Sequence, residues 1–128
     1  MRVLLDTHTL LWAVFHKDLL SPRARHLLHA QRNEVFVSAV SAWEIATKYR
    51  LGKLPEAQVL VDDFVPSLQL AGYVPLPISL EHALRAGRLT ADHKDPFDRM
   101  LAAQAIHEDL ALISNDEQLD IFGVRREW

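Results

Sequence analysis

Residues 92–114 read DHKDPFDRMLAAQAIHEDLALIS, and the change of character along this stretch points to the architecture. Three aspartates, Asp92, Asp95 and Asp98, fall within seven positions, with Pro96 between the last two. Asp95 precedes the proline, so it is expected to be extended and to cap a helix. Pro96 then takes the first helical position and Asp98 the first turn, where a carboxylate complements the helix dipole. PFDRMLAAQAIHED follows as a helix, with Ala102 and Ala105 on the face of Asp98 and small enough to let a neighbour approach closely. ALIS, residues 111–114, reads as a strand. Asp92 lies in a polar loop and is expected to be solvated.

The same alternation extends in both directions. VLL at 3–5 is a buried strand stopped by Asp6, and Thr7 to Phe15 carries apolar residues at helical spacing. Ser21 and Pro22 start a helix, VFVS at 35–38 is a second strand, and SAWEIATKYRLGKL is a helix ended by Gly52. Residues 56–71 are amphipathic through Val59, Leu60, Phe64 and Leu68, with a kink or break expected at Pro66. YVPLP at 73–77 is extended, and a helix runs from Ser79 to about Gly87. After ALIS, Asp116 to Asp120 forms a short helix or turn, and IFGV a last edge strand. Strands alternating with helices at these spacings predict an α/β sandwich, a mostly parallel central sheet flanked by helices, in one domain spanning residues 1–128.

Composition narrows the class without naming a partner. Apolar residues make up 49% of the 128 residues, enough for a core without staples. The absence of cysteine excludes disulfides and thiolate metal sites and fits a cytoplasmic location. No uninterrupted apolar segment resembles a signal peptide or a membrane span. A formal charge of −3 does not advertise nucleic-acid binding, but acids converging on a cation would mislead such a count. Lys48, Arg50 and Lys53 form one of several basic clusters that read first as solvated faces. Among the seven histidines, His26 and His29 share a helix face but have no matching ligands elsewhere.

In a parallel sheet, ligands bind beyond the carboxyl ends of the strands, and acids occur at those places. Asp6 ends the first strand, Glu44 lies in the helix after VFVS, Asp98 opens the helix before ALIS, and Asp116 follows ALIS. Each also has a structural reading. Ser41 to Glu44 matches a capping box, Asp98 complements a helix dipole, and Asp6 and Asp116 are candidate caps. Their joint placement on one edge favours a site. Two carboxylates about 4 Å apart repel by about 4 kcal/mol at an effective dielectric near 20, so a cluster needs a cation or a proton. An all-oxygen donor set favours Mg²⁺ or Mn²⁺ over zinc. Thr7, Ser38, Ser41 and Ser114 are hydrogen-bond partners for such a site, or simply caps.

Four stretches in order, VLLDTHTLLW, SAVSAWEIATKYRLGKL, DPFDRMLAAQA and LISNDEQL, together resemble the PIN-domain ribonucleases, and among them the VapC-like toxins of type II toxin–antitoxin pairs. The resemblance implies a PIN-like three-layer sandwich and a Mg²⁺- or Mn²⁺-dependent endoribonuclease that leaves a 5′-phosphate and a 3′-hydroxyl. It implies an RNA substrate, a cognate antitoxin protein and a homodimer. By position Asp6, Glu44, Asp98 and Asp116 match the family's acidic quartet, with Asp6 and Asp98 the pair most directly tied to metal. Glu117 and Asp120 compete with Asp116 for the fourth place. A non-catalytic PIN-like binding module and a metal-dependent phosphohydrolase acting on other substrates are the alternatives. A haloacid dehalogenase would want an aspartate where His8 stands.

Overall fold

A computed structural model describes residues 1–128. Its centre is strand β1, Arg2–Leu5, where Val3, Leu4 and Leu5 are fully buried. A strand buried on both faces needs a continuous apolar run rather than an alternating one. On one side β1 pairs with β2, Glu34–Ser38, and on the other with β4, Ala111–Ile113. The sheet is completed by β3, Val74–Leu76, beyond β2 and by β5, Arg126–Glu127, beyond β4. The order is β3-β2-β1-β4-β5 and every pairing is parallel.

Residue alternation divides the core between the two faces. Val3, Leu5, Val37 and Ile113 look toward helices α1 (Thr7–Phe15), α2 (Pro22–His29), α4 (Gln58–Asp62) and α5 (Phe64–Ala71), meeting Leu10, Leu27, Leu60 and Leu68. Leu4, Phe36 and Leu112 look the other way, onto Leu101, Ala102 and Ala105 of α7, Pro96–His107. Helix α3, Ala39–Arg50, bridges the two, with Val40 in one cluster and Ile45 in the other. Helix α6, Leu80–Arg88, packs against α7 from outside. This is the three-layer α/β sandwich expected, with the sheet wholly parallel. No helix is long and apolar enough to cross a membrane.

Three local expectations are corrected. The N-cap of α3 is Ser38, whose Oγ accepts the Val40 N–H at 2.9 Å. Ser41 and Glu44 therefore do not form a capping box; Ser41 bonds Thr7 instead (Oγ to Oγ1, 3.0 Å), and Glu44 stands in the second turn. The break near Pro66 falls at Asp63, because a proline is tolerated in the first turn of α5, where its missing N–H has no helical partner to lose. IFGV is not the edge strand. Ile121 and Phe122 end a short 3₁₀ helix, Glu117–Phe122, that buries Leu119 and Phe122, and Gly123 closes it with a left-handed φ of 76°. The edge strand comes three residues later, at Arg126.

The small residues of α7 bring its axis close to the sheet, since Ala102 is fully buried in that cluster beside Leu4 and Leu112. Replacing Ala102 with leucine is expected to destabilise the chain by about 1–3 kcal/mol through overpacking. Urea denaturation measures this; an unchanged midpoint would mean the layer has room that the packing does not indicate.

Candidate active site: an acidic cleft

Because all five strands run parallel, their carboxyl ends share one edge, and the junctions that follow them open there. Asp6, immediately after β1, caps α1 by accepting the Thr9 N–H on Oδ1 at 2.8 Å. Asp116, after β4, caps the 3₁₀ helix by accepting the Gln118 N–H on Oδ1 at 3.0 Å. Asp95 caps α7 through Phe97 N–H at 2.8 Å and Asp98 N–H at 3.3 Å. Capping and cleft placement therefore coexist for Asp6 and Asp116. Both line the same cleft of about 370 Å³ as Glu44 and Asp98, a cleft with no hydrophobic lining residue.

The four acids share a pattern. Glu44 is 6% exposed, and its Oε2 accepts from Lys48 Nζ at 2.6 Å, one turn along α3. Asp98 Oδ2 lies 3.0 Å from His93 Nε2. Asp6 and Asp116 each give Oδ1 to a backbone N–H. Each carboxylate thus uses one oxygen and leaves the other with no protein partner, and none of these free oxygens is sealed from solvent. Burial pushes the Asp98 carboxyl above the usual range; the His93 hydrogen bond opposes this, while the negative charges of Asp95 and Glu44 add to it. Of the other three acids, Glu44 is the one whose charge reaches Asp98 in this way.

The structure separates these acids from their neighbours in sequence. Asp92 and Glu117 are exposed and outside the cleft. Asp120 is forked to the Arg126 guanidinium at 2.8 and 3.1 Å, and this hydrogen bond holds its carboxyl below the usual range. Of the basic trio, Lys48 turns into the cleft, and Arg50 and Lys53 do not line it. Thr7 and Ser41 cross-link α1 to α3, Ser38 caps α3, and Ser114 Oγ accepts the Asp116 N–H at 3.0 Å. His93, Lys94 and Asp95 also line the cleft, and sequence reasoning missed them as site residues. The available signal was a histidine five residues before Asp98, in a segment that a proline keeps from being helical.

A second group of potential ligands lies at the other end of α7. His82, His107 and Glu108 are the only three such residues whose ligand atoms all fall within 4.8 Å of one another. The buried His82 ring is already committed. Its Nδ1 accepts the Ser79 N–H at 3.0 Å, so the ring proton belongs on Nε2, which donates to Glu108 Oε1 at 2.8 Å. A metal there would need the Nε2 lone pair, which that tautomer lacks. The group secures the start of α6 to the end of α7. His26 and His29 are exposed on α2 and belong to no such group.

Asp98 gives the cation-free chain a predictable pH dependence. A carboxyl raised by folding makes the folded state bind its proton more readily than the unfolded state. Its contribution is fully present below the unfolded pKa and is lost as pH rises through the higher folded value. Asp98→Asn removes that loss and keeps an acceptor for His93. Without divalent cations its melting temperature is expected to exceed the wild type's at pH 7, with the advantage shrinking toward about pH 3–4. A lower melting temperature at pH 7 would show that Asp98 acts mainly through the helix dipole.

Comparison with known proteins agrees with the fold. A sequence profile of the PIN domain matches residues 3–124. Ribonuclease VapC16 of Mycobacterium tuberculosis is 41% identical over 64 residues, a match spanning 50% of this chain and only 44% of that protein. The VapBC2 structure from Rickettsia felis, bound to a DNA fragment from its promoter, superposes with a TM-score of 0.69 at 18% identity, covering 99% of this chain and 98% of that one. A toxin–antitoxin complex from Klebsiella pneumoniae superposes with a TM-score of 0.56 at 18% identity, covering 89% and 86%. At such identities the structural likeness is one of fold. With the family profile running through nearly the whole sheet and every acid of the cleft, the chain belongs to the PIN domain family.

Proposed function

We propose that the chain is a divalent-metal-dependent endoribonuclease and the toxin of a toxin–antitoxin pair. The observation that carries this reading is the set of four carboxylates, brought from four distant segments to one cleft, each with one oxygen free of any protein partner. Such a donor set, all oxygen and without apolar lining, fits Mg²⁺ or Mn²⁺. Asp6 and Asp98 would hold the cation, and Glu44 and Asp116 would complete its surroundings or orient a water. With a cation held there, a bound water would have a lowered pKa and negative charge on the attacked phosphate would be offset.

The chain's own groups supply the remaining requirements. Asp116 or Glu44 accepts a hydrogen bond from the attacking water and sets its direction. Lys48, paired with Glu44 at 2.6 Å, keeps positive charge at the cleft wall where a phosphate enters. Attack of water on phosphorus in line with the P–O3′ bond breaks that bond. The 3′ oxygen takes up a proton, leaving a 3′-hydroxyl and a 5′-phosphate. An apolar groove lined by Val14, Leu20, Leu28, Leu70, Ala71 and Tyr73, with Leu70 92% exposed, supports a protein partner such as an antitoxin. The VapBC and toxin–antitoxin assemblies that share the fold support the same reading, and a homodimer and a cytoplasmic site of action accompany it.

Excess EDTA is expected to stop cleavage of a labelled RNA, and Mg²⁺ or Mn²⁺ to restore it. Asp6→Asn and Asp98→Asn should each lower the restored rate by more than about 100-fold while the fold persists by circular dichroism. Cleavage that continues undiminished in EDTA would overturn the metal-dependent reading. Full activity in both variants would move the chemistry out of the cleft.

A further inference from the structure

Arg99 follows Asp98 on α7, and its guanidinium is saturated. Nε and Nη2 donate to Ala86 O at 3.1 and 2.9 Å, Nη2 also to Leu89 O at 2.5 Å, and Nη1 to Ala91 O at 3.0 Å and His93 O at 3.1 Å. All five N–H donors of the fork are thus spent on main-chain carbonyls, and Arg99 forms no salt bridge. Ala86 lies in the last turn of α6, where carbonyls lack helical partners and the dipole is negative, so a cation is favoured there without a carboxylate.

The segment it holds packs Leu89 and Ala91 on the core cluster of Leu4 and Leu112 but has few main-chain bonds to fix its path. Residues 89–95 form neither helix nor strand, and their backbone–backbone bonds are Leu89 N–H to Arg85 O, His93 N–H to Ala91 O and, at the start of α7, Arg99 N–H to Asp95 O. Yet this segment forms one wall of the cleft. His93 Nε2 stands 3.0 Å from Asp98 Oδ2, and its ring meets Phe122 edge-on at 5.3 Å. We propose that Arg99 is a positioning residue of the acidic cleft: by tying the carbonyls of Ala86, Leu89, Ala91 and His93 to α7, it sets His93 against Asp98. The second Asp98 oxygen is thereby left free and fixed for a divalent cation. The proposal rests on the reading of the cleft as a cation site. Lysine cannot replace Arg99, because three donors on a single nitrogen cannot span four separate carbonyls.

The test titrates Mn²⁺ into the RNA-free chain by calorimetry for wild type, Arg99→Lys, His93→Ala and the double variant, with hydrogen exchange followed over residues 89–93. Arg99→Lys is expected to weaken Mn²⁺ binding by about 10- to 100-fold, the range for groups that orient a ligating carboxylate. Exchange in the segment should quicken while circular dichroism stays unchanged. His93→Ala should weaken binding comparably, and the double variant no further than the weaker single one. Wild-type affinity in Arg99→Lys, or additive losses in the double variant, would overturn the proposal. Should Arg99→Lys fail to fold, His93→Ala decides, and unchanged affinity in it overturns the link. A wild-type chain that binds no Mn²⁺ overturns the reading of the cleft and the proposal with it, a result distinct from tight wild-type binding that Arg99→Lys shares.

Discussion

Negative charges collected at one edge of a sheet repel, and the rest of this structure is arranged around that repulsion. No three of the cleft's acids and histidines bring ligand atoms within 4.8 Å of one another, so the cost of repulsion is spread over the cleft. Glu44 is the member of the four whose charge adds to the upward push on Asp98. The chain limits the cost without removing it. Lys48 answers Glu44, His93 answers Asp98, and backbone N–H groups answer Asp6 and Asp116. In each case only one oxygen is satisfied. A structure optimised for stability alone would satisfy both or replace the acids with serine or asparagine, which cap helices as well. The raised carboxyl of Asp98 is the remaining strain, and its largest cause is burial.

That burial comes from the sheet. The parallel topology forces every crossover to begin at the same edge, and the fully buried β1 holds Asp6 there. The helix that carries Asp98 is fixed on one face through Ala102 and Ala105, and the helix that carries Glu44 reaches both core clusters, through Val40 and Ile45. Thr7 and Ser41, bonded at 3.0 Å in the interior, join the first crossover to the second just beneath the acids. Carboxylates that repel can be kept together only by a scaffold stiffer than their repulsion, and close-packed layers supply it.

Much of this was legible in the sequence because strand-ending acids and continuous apolar runs are local signals. VLLD and the DPFD cap carry their meaning within four residues, and both formed as read. The misreadings arose where two local signals compete. Ser38 and Ser41 are both plausible caps for α3, and the partner that decides is Thr7, 34 positions from Ser41. IFGV has strand composition, but burying Phe122 beneath α7 and closing the turn at Gly123 overrides it. The acids of the cleft were found by their shared edge, whereas the groups that answer them were not. A lysine four residues after Glu44 and a histidine five before Asp98 reveal their direction only once the helices are placed.

The three aspartates of DHKDPFD differ because of what surrounds each, not because of their chemistry. Pro96 forces Asp95 out of the helical region, so its Oδ1 turns back onto Phe97 and Asp98 N–H groups. Asp98, three residues on, projects from the first turn beside the cap. A carboxylate cap was not required at Asp95, since a neutral one satisfies the same donors. Its charge instead adds to the push on Asp98 that Glu44 exerts from another helix. Helix α7 therefore begins with two neighbouring negative charges that its own dipole only partly offsets. A cation held in the cleft, as proposed, would offset both charges at once.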